Sequence, residues 1–335
     1  MDWNKGFSAR YYACFVEPQT WRDIERFEIK GGTLQKFDSG LRNSATIECV
    51  NYQQSTERWV RVWLNARQAG YDAHIPLFTG LATAPERNID GQLVTNSLAC
   101  YSVLKPAQDK LLPLGYYAPA KVNGAQIVQQ LLSDNTPVPV RIVGESPLLS
   151  QHIIAENNEN NLSMAEKVLS AINWRLRVLG DGTVEVCSVA NSVSARFDAL
   201  ENDSIEPQLR AINDWYGCPN VFRSVMGDEY AIARDESTSS PLSTVNRGRE
   251  VWMEERDCKL SDGESLENYA HRRLQEEQRR YLAVSYDRRF RPDVIASDIV
   301  QLHYPAQDID GAFYILSQSI EIGYGARTSE EVIQV

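Results

Sequence analysis

No stretch of this chain approaches the roughly eighteen consecutive apolar residues that a membrane-spanning helix requires. The N-terminus, Met1-Asp-Trp-Asn-Lys-Gly-Phe7, does not place a basic segment before an apolar one, as a secretory signal would. Synthesis and folding in the cytoplasm are therefore expected, without membrane insertion. Cysteine is sparse: six residues at positions 14, 49, 100, 187, 218 and 258, with no CxxC pair among them. The four histidines, His74, His152, His271 and His303, are equally scattered. Zinc sites and redox dithiols need close pairs, so no metal site is expected and the thiols should be free. Positive charge is in deficit, with 34 Lys and Arg against 45 Asp and Glu and a net charge of −11. That balance argues against a duplex-wrapping protein, which needs a basic surface. Catalytic signatures are missing too: there is no G-x-S-x-G elbow, no H-E-x-x-H pair and no P-loop.

What is present is periodicity. At 335 residues, 43% of them hydrophobic, the chain can build two or three domains with a substantial core. Tyr11 to Val16, Ala45-Thr-Ile-Glu-Cys-Val50 and Trp59-Val-Arg-Val-Trp-Leu64 alternate with period two and are rich in β-branched and aromatic residues, which predicts half-buried strands. Asp90-Gly91 signals a tight hairpin before a long strand, 92–101. The middle of the chain reads as a small α/β module. Asn123 can cap a helix with Ile127, Val128, Leu131 and Leu132 on one face, and Ser163-Met-Ala-Glu166 has the form of a capping box. Pro137 and Pro139 mark an edge or loop between the two helices.

Gly180-Asp181-Gly182 needs a decision. A dinucleotide fingerprint runs strand, G-x-G-x-x-G, helix, whereas here a helix precedes the glycines, a strand follows them and Glu185 stands at the third glycine position. A calcium loop would need oxygen ligands at alternate positions and a distal Glu, which are also absent. The stretch reads as a hairpin turn that binds nothing. Beyond it strands return at 220–226 and 230–234, and a polar loop, 235–244, is expected to be mobile. Ser261-Asp-Gly-Glu264 forms a second capping box, before a helix with Arg272, Arg273, Glu276, Glu277, Arg279 and Arg280 on its polar face. Three strands close the chain, at 281–286, 298–304 and 312–322. The adjacent carboxylates Asp228-Glu229, Asp235-Glu236 and Glu276-Glu277 point apart on any regular element, unlike a glycosidase pair facing across a cleft. No residue is nominated as catalytic, cofactor-binding or metal-ligating, and no cofactor is expected.

Several segments, taken in order, resemble the baseplate hub (tail hub) proteins of bacteriophages and phage-tail-like particles. They are Pro76-Leu-Phe-Thr-Gly80-Leu-Ala, Val103-Leu-Lys-Pro, Gly124 to Leu132, Trp174 with Asp181-Gly-Thr-Val184, Asn220-Val-Phe, Asn246-Arg-Gly-Arg249, Asp298-Ile-Val-Gln-Leu, and Phe313 to Ile320. One departure is Ser297, which stands where the family pattern usually has glycine before the Asp, and Ser tolerates positive φ less well.

The resemblance implies a mainly β fold with an α+β insertion: two tail-tube-like β-barrel domains, 1–105 and 201–335, flanking a small α/β module at 106–200. It implies a structural protein rather than an enzyme. Three chains would form a homotrimer in the virion tail baseplate, adapting the hexameric tail tube to a threefold central spike or tip. Other implied partners are further baseplate proteins and the tape measure protein, with DNA met only in transit through the channel. Assembly would take place in the bacterial host cytoplasm. No hydrolase or cell-wall-binding module is expected, since the chain stops at Val335. Two alternatives are a cell-wall or polysaccharide hydrolase riding on the same particle and a carbohydrate-binding β-sandwich module. The acidic balance would serve a channel, because three copies at −11 each carry −33, which repels a passing polyanion.

Overall fold

The computed structural model describes all residues except 51–55, 84–85, 91–92, 135, 189–191, 199–204 and 324. The N-terminal part contains β1 (Ser8–Val16), β2 (Asp23–Phe37), β3 (Ser44–Val50), β4 (Arg58–Gln68), β5 (Tyr71–Ala82), β6 (Glu86–Asp90) and β7 (Leu93–Ser102). The alternation read from the sequence is realised in their burial: Val60, Val62, Leu64 and Ala66 of β4 are fully buried on one face. They meet Ala13, Phe15, Leu34, Ile47 and Leu98 from the neighbouring strands in a single core. β1, β4, β5, β7, β3 and β2 are hydrogen-bonded in that order, all antiparallel, and β1 also pairs with β2, so the six strands close a ring of pairings. β6 continues β7 as a hairpin in which Asp90 faces Leu93; the predicted Asp90-Gly91 turn falls at Gly91 outside the described residues.

The middle of the chain supplies α1 (Lys105–Asp109), β8 (Tyr117–Ala118), α2 (Gly124–Ser133), β9 (Val140–Val143), β10 (Ile153–Ile154), α3 (Asn161–Ile172), β11 (Trp174–Val178) and β12 (Val184–Ser188). Asn123 caps α2 as predicted, its side chain accepting from the Gln126 N–H at 3.0 Å. α3 starts earlier than its sequence suggests. Asn160 accepts from the Ser163 N–H at 2.8 Å, so Ser163 lies inside the first turn and is not the cap. The Asn160 amide oxygen, three residues upstream, satisfies the orphan Ser163 N–H, and the helix takes the longer option. α2 and α3 pack through Val128, Leu132, Met164, Val168 and Ile172 onto Leu176, Val184 and Val186 of a three-stranded sheet, β11–β12–β9. β9 pairs with β12 alone, consistent with the edge that Pro137 and Pro139 mark.

The last part contains β13 (Val193–Asp198), β14 (Ile205–Asn213), β15 (Val221–Met226), β16 (Glu229–Arg234), α4 (Thr244–Arg247), β17 (Trp252–Arg256), α5 (Leu266–Gln278), β18 (Leu282–Arg289), β19 (Ile299–Tyr304), β20 (Ile309–Ile322) and β21 (Arg327–Gln334). β15, β16 and β17 form a small sheet against which α5 packs Ala270 and Leu274, touching Phe222 and Ala233. Ser265, not Ser261, caps α5, through the Asn268 N–H. Ser261 keeps half of its box, donating its N–H to Glu264, while its hydroxyl turns away to the Ala171 carbonyl. The loop expected to be mobile is folded on itself: Asp235 accepts from the Ser237 N–H and the Ser240 hydroxyl, and Asn246 donates to the Thr238 and Ser240 carbonyls. Among the described residues no helix is long and apolar enough to cross a membrane.

Two separate barrels are not what these strands build. β2 pairs with β20 from Gly32↔Ile322 to Phe37↔Ser317, and β20 continues to β21, β18 and β14, with β19 and β13 on its other flank. Thirteen strands from both ends of the chain therefore belong to one sheet, and the fold is mixed α/β on large sheets. Alternation tells which face of a strand is buried and is silent about which strand lies along each edge, which is why the expectation of two barrels fails.

The shared strand depends on Gly31-Gly32. β2 pairs with β1 over its first half, and a register shift falls between Ile29 and Gly31 on the β3 side. Gly32 has φ +151°, and a Cβ there would sit 2.2 Å from the Thr46 carbonyl oxygen. Gly31 has ordinary room, with its nearest neighbour at 3.4 Å. Gly32→Ala is expected to destabilise the protein by about 2–4 kcal/mol and Gly31→Ala by less than half as much, measured by urea unfolding. Equal effects would remove the close approach as the cause.

Candidate functional site: the seam around the 174–188 hairpin

β11 alternates Trp174, Leu176 and Val178 with Arg175 and Arg177. The apolar set joins the α2/α3 core, which leaves the two guanidinium groups on the opposite face. The turn between β11 and β12 is the stretch Gly180-Asp181-Gly182. The Gly182 N–H donates to the Leu179 carbonyl at 3.0 Å, and the Leu179 N–H to Thr183 at 2.9 Å. Only Gly182 in this turn has positive φ, +84°. That is a three-residue loop ending in a left-handed glycine, rather than the two-residue turn with both centres at positive φ. Asp181 accepts from the Thr183 N–H and hydroxyl at 2.9 and 3.0 Å, tying the loop to itself.

The turn is wedged against the N-terminal ring. The Thr79 hydroxyl donates to the Gly180 carbonyl at 2.8 Å, and the Trp21 indole and Arg61 Nη2 donate to the Asp181 carbonyl at 2.9 and 3.0 Å. A Cβ on Gly180 would lie 1.9 Å from the Pro76 carbonyl oxygen. Arg61 is held in turn by Thr79 at 3.1 Å and by Asp23 at 2.7 Å, and its side chain is nearly buried. A guanidinium removed from water in this way needs full hydrogen bonding to be tolerated, and Arg61 has four partners. This clasp fixes one end of the hairpin.

Its basic face is fixed to the C-terminal strands. Arg175 donates to the Ser297 carbonyl and the Tyr314 hydroxyl, both at 3.0 Å, and Arg177 reaches Asp298 at 2.7 Å. Burial pushes the Asp298 carboxyl up, opposed by the Ile295 N–H and by Arg177. Burial likewise raises the Tyr314 phenol to about 12. Ser297, the sequence's departure from glycine, adopts φ +77° and so takes the left-handed conformation regardless. It is held there by backbone bonds from the Ser297 N–H to Ile315 and from the Asp298 N–H to Ile295, at 2.9 and 3.1 Å. The Ser297 hydroxyl is buried and has no hydrogen-bonding partner among the described residues.

Beneath the seam a polar row crosses four adjacent strands: Lys36, Gln318, Glu330 and Tyr286 stand directly opposite one another on β2, β20, β21 and β18. Arg288 reaches Glu330 at 2.6 Å, with both side chains fully enclosed, and Gln318 donates to the same carboxylate oxygen at 2.6 Å. Burial pulls the Lys36 ammonium down to about 8, with Asp298 opposing. The unfolded chain keeps that proton to higher pH, so the penalty is largest below pH 8 and falls as pH rises towards the ordinary lysine value. These groups specify one alignment of strands; none lies in an acid–base arrangement facing a cleft.

The carboxylates flagged by the sequence are dispersed. Asp228 and Glu229 are exposed at the β15–β16 turn, Asp235 organises its own loop, and Glu276 and Glu277 pair with Arg272, Arg273 and Arg280. Arg272 and Arg273 find carboxylates in their own chain, including Glu264 and Glu255. The six cysteines are free, in line with expectation, and all are buried; burial raises the Cys14, Cys49 and Cys218 thiols to about 11 and Cys100 to about 12. His303 lies 3.1 Å from Asp310, and His152 accepts from the Ala120 N–H. Among the described residues no three His, Cys, Asp or Glu gather as a metal site. Sequence reasoning passed over Trp21, Arg61, Arg175 and Arg177. A signal existed in the two strands where Arg alternates with apolar residues, at 59–64 and 174–178.

No protein-family model matches the chain, and no curated protein matches it. Solved structures do. The tail protein from Neisseria meningitidis is 11% identical, with 97% of each chain covered and a TM-score of 0.72. The 43 kDa tail protein of prophage MuSo2 from Shewanella oneidensis is 11% identical, covering 98% of this chain and 97% of that one, with a TM-score of 0.70. Prophage tail protein gp18 from Listeria monocytogenes is 11% identical, covering 96% and 94%, at 0.57. At this identity the likeness is one of fold. At that level the resemblance read from the motifs holds: nearly the whole chain is folded like phage tail proteins.

Ser297→Gly should relieve the left-handed strain, worth about 1–2 kcal/mol, against roughly 0.5–1 kcal/mol of added chain entropy in the unfolded state. A net gain of about 0.5–1 kcal/mol, read as a raised melting temperature, is expected; a loss of stability would mean that the serine hydroxyl contributes a bond of its own.

Proposed function

We propose that the chain is a structural, non-enzymatic component of a phage tail or phage-tail-like particle, located in the baseplate and assembled in the cytoplasm of the bacterial host. In this reading it is a tail hub: three copies form a ring that meets the hexameric tail tube on one side and a threefold spike or tip on the other. Other baseplate proteins and the tape measure are neighbours, and DNA is met only in passage. The observation that carries the proposal is coverage. The whole chain, not one domain of it, superposes on a tail protein of matching length, 97% of each at a TM-score of 0.72.

The seam supports it. A protein that transmits load between a tube and a tip needs its parts fixed to one another, and the hairpin at 174–188 is bonded to both strand-rich ends of the chain. The net charge of −11 suits a channel wall, where like charge in a narrow passage repels a polyanion. A closed ring is the usual outcome of a head-to-tail interface, and three copies match the threefold tip.

Copy number tests the reading. Quantitative mass measurement of purified particles should find three copies of this chain for every six in one ring of tube protein. Six copies, one copy or absence from the particle would defeat it.

A further inference from the structure

A cleft of about 510 Å³ opens where α3 and β11, the C-terminal turn of α5 and the edge of β20 come together. Part of its lining is apolar, with Ile299 buried and Leu316 and Trp174 half-buried. Its outer lining is basic. Four arginines, Arg175, Arg272, Arg279 and Arg280, face two side-chain carboxylates, Asp38 and Glu276, and the terminal residue Val335 also lines the cleft. Glu276 is already held by Arg272 and Arg273, at 3.0 and 2.6 Å. The remaining guanidinium groups are under-used. Arg279 makes no ion pair among the described residues, and Arg280, 71% exposed, reaches only Glu277, at 3.6 Å. Arg175 uses Nη1 for Ser297 and Tyr314, while its buried Nε–H has no partner.

This is a local positive surplus on a chain whose net charge is −11. Guanidinium forks match carboxylates in geometry as well as charge, and pockets that combine apolar depth with a few charged groups fix both the identity and the direction of a ligand. A phosphate chain would satisfy the arginines but leave the half-buried Leu316 and Trp174 uncovered. An aliphatic side chain flanked by carboxylates satisfies both parts of the lining. We propose that this cleft receives an acidic peptide segment of a partner protein, with its carboxylates on Arg279 and Arg280 and an aliphatic side chain against Leu316 and Trp174. The proposal stands apart from the hub reading, since it requires neither a ring nor a tail.

The test uses the full chain and isothermal titration calorimetry with the capped peptide acetyl-Glu-Leu-Glu-Glu-amide, its Gln-Leu-Gln-Gln counterpart, inorganic phosphate and a single-stranded DNA oligonucleotide. The acidic peptide should bind saturably and more weakly as salt rises, and the glutamine peptide should not bind. The double variant Arg279→Glu/Arg280→Glu should lose about tenfold or more in affinity. Both positions are exposed, and an unchanged melting temperature confirms that the variant is folded. No saturable binding of the acidic peptide, undiminished binding to the double variant, or tighter binding of phosphate or the oligonucleotide would overturn the proposal.

Discussion

Strand β2 carries the constraint on which the rest of the structure depends. Its first half pairs with β1, and its second half is paired along both edges, by β3 and by β20. A strand so placed cannot shift its register without disturbing three neighbours, and a slip of one residue would turn every buried side chain of β2 to the wrong face. The glycine pair at 31–32 lets the backbone approach β3 closely where the pairing changes hands. The polar row from Lys36 to Tyr286 then marks the register on the far side, since a buried ion pair such as Arg288–Glu330 is satisfied in one alignment and costly in any other.

The hairpin at 174–188 performs a related task between the layers. Its turn is gripped by Trp21, Arg61 and Thr79, and its basic face by Ser297, Asp298 and Tyr314. The glycines that first suggest a ligand loop have packing and turn roles: Gly180 lies against the Pro76 backbone too closely for any side chain, and Gly182 takes a positive φ against Trp21 and Thr79. A sequence motif shared with phosphate-binding loops here serves packing, and the same absence of Cβ explains both uses.

Much of the element list was legible before the structure. Alternation over 45–50, 59–64 and 220–226 located strands, and the stripe Ile127, Val128, Leu131 and Leu132 located α2 together with its Asn123 cap. The cap positions of α3 and α5 were misplaced by three and four residues because a run such as Asn160-Asn-Leu-Ser163 offers several competent acceptors and local sequence does not rank them. Strand partnership was illegible for a deeper reason. The β2–β20 pairing joins residues nearly three hundred positions apart, and nothing in either segment names the other. The seam was hidden likewise: Arg61 and Asp181 are 120 positions apart, and each reads alone as an ordinary surface charge. Ser297 shows the converse, a residue whose type argued against a conformation that tertiary hydrogen bonds nevertheless impose.

If one shared strand unites the two ends of the chain, the ends should not open independently. Native-state hydrogen exchange across denaturant concentrations tests this most directly, because it gives an opening free energy for each segment. The account predicts that amides in residues 32–37 and 317–322 exchange only through the opening that also exposes β4 and β18. Exchange of those amides at distinctly lower free energy, with β4 and β18 still protected, would show two separately folded units in loose contact and would contradict it.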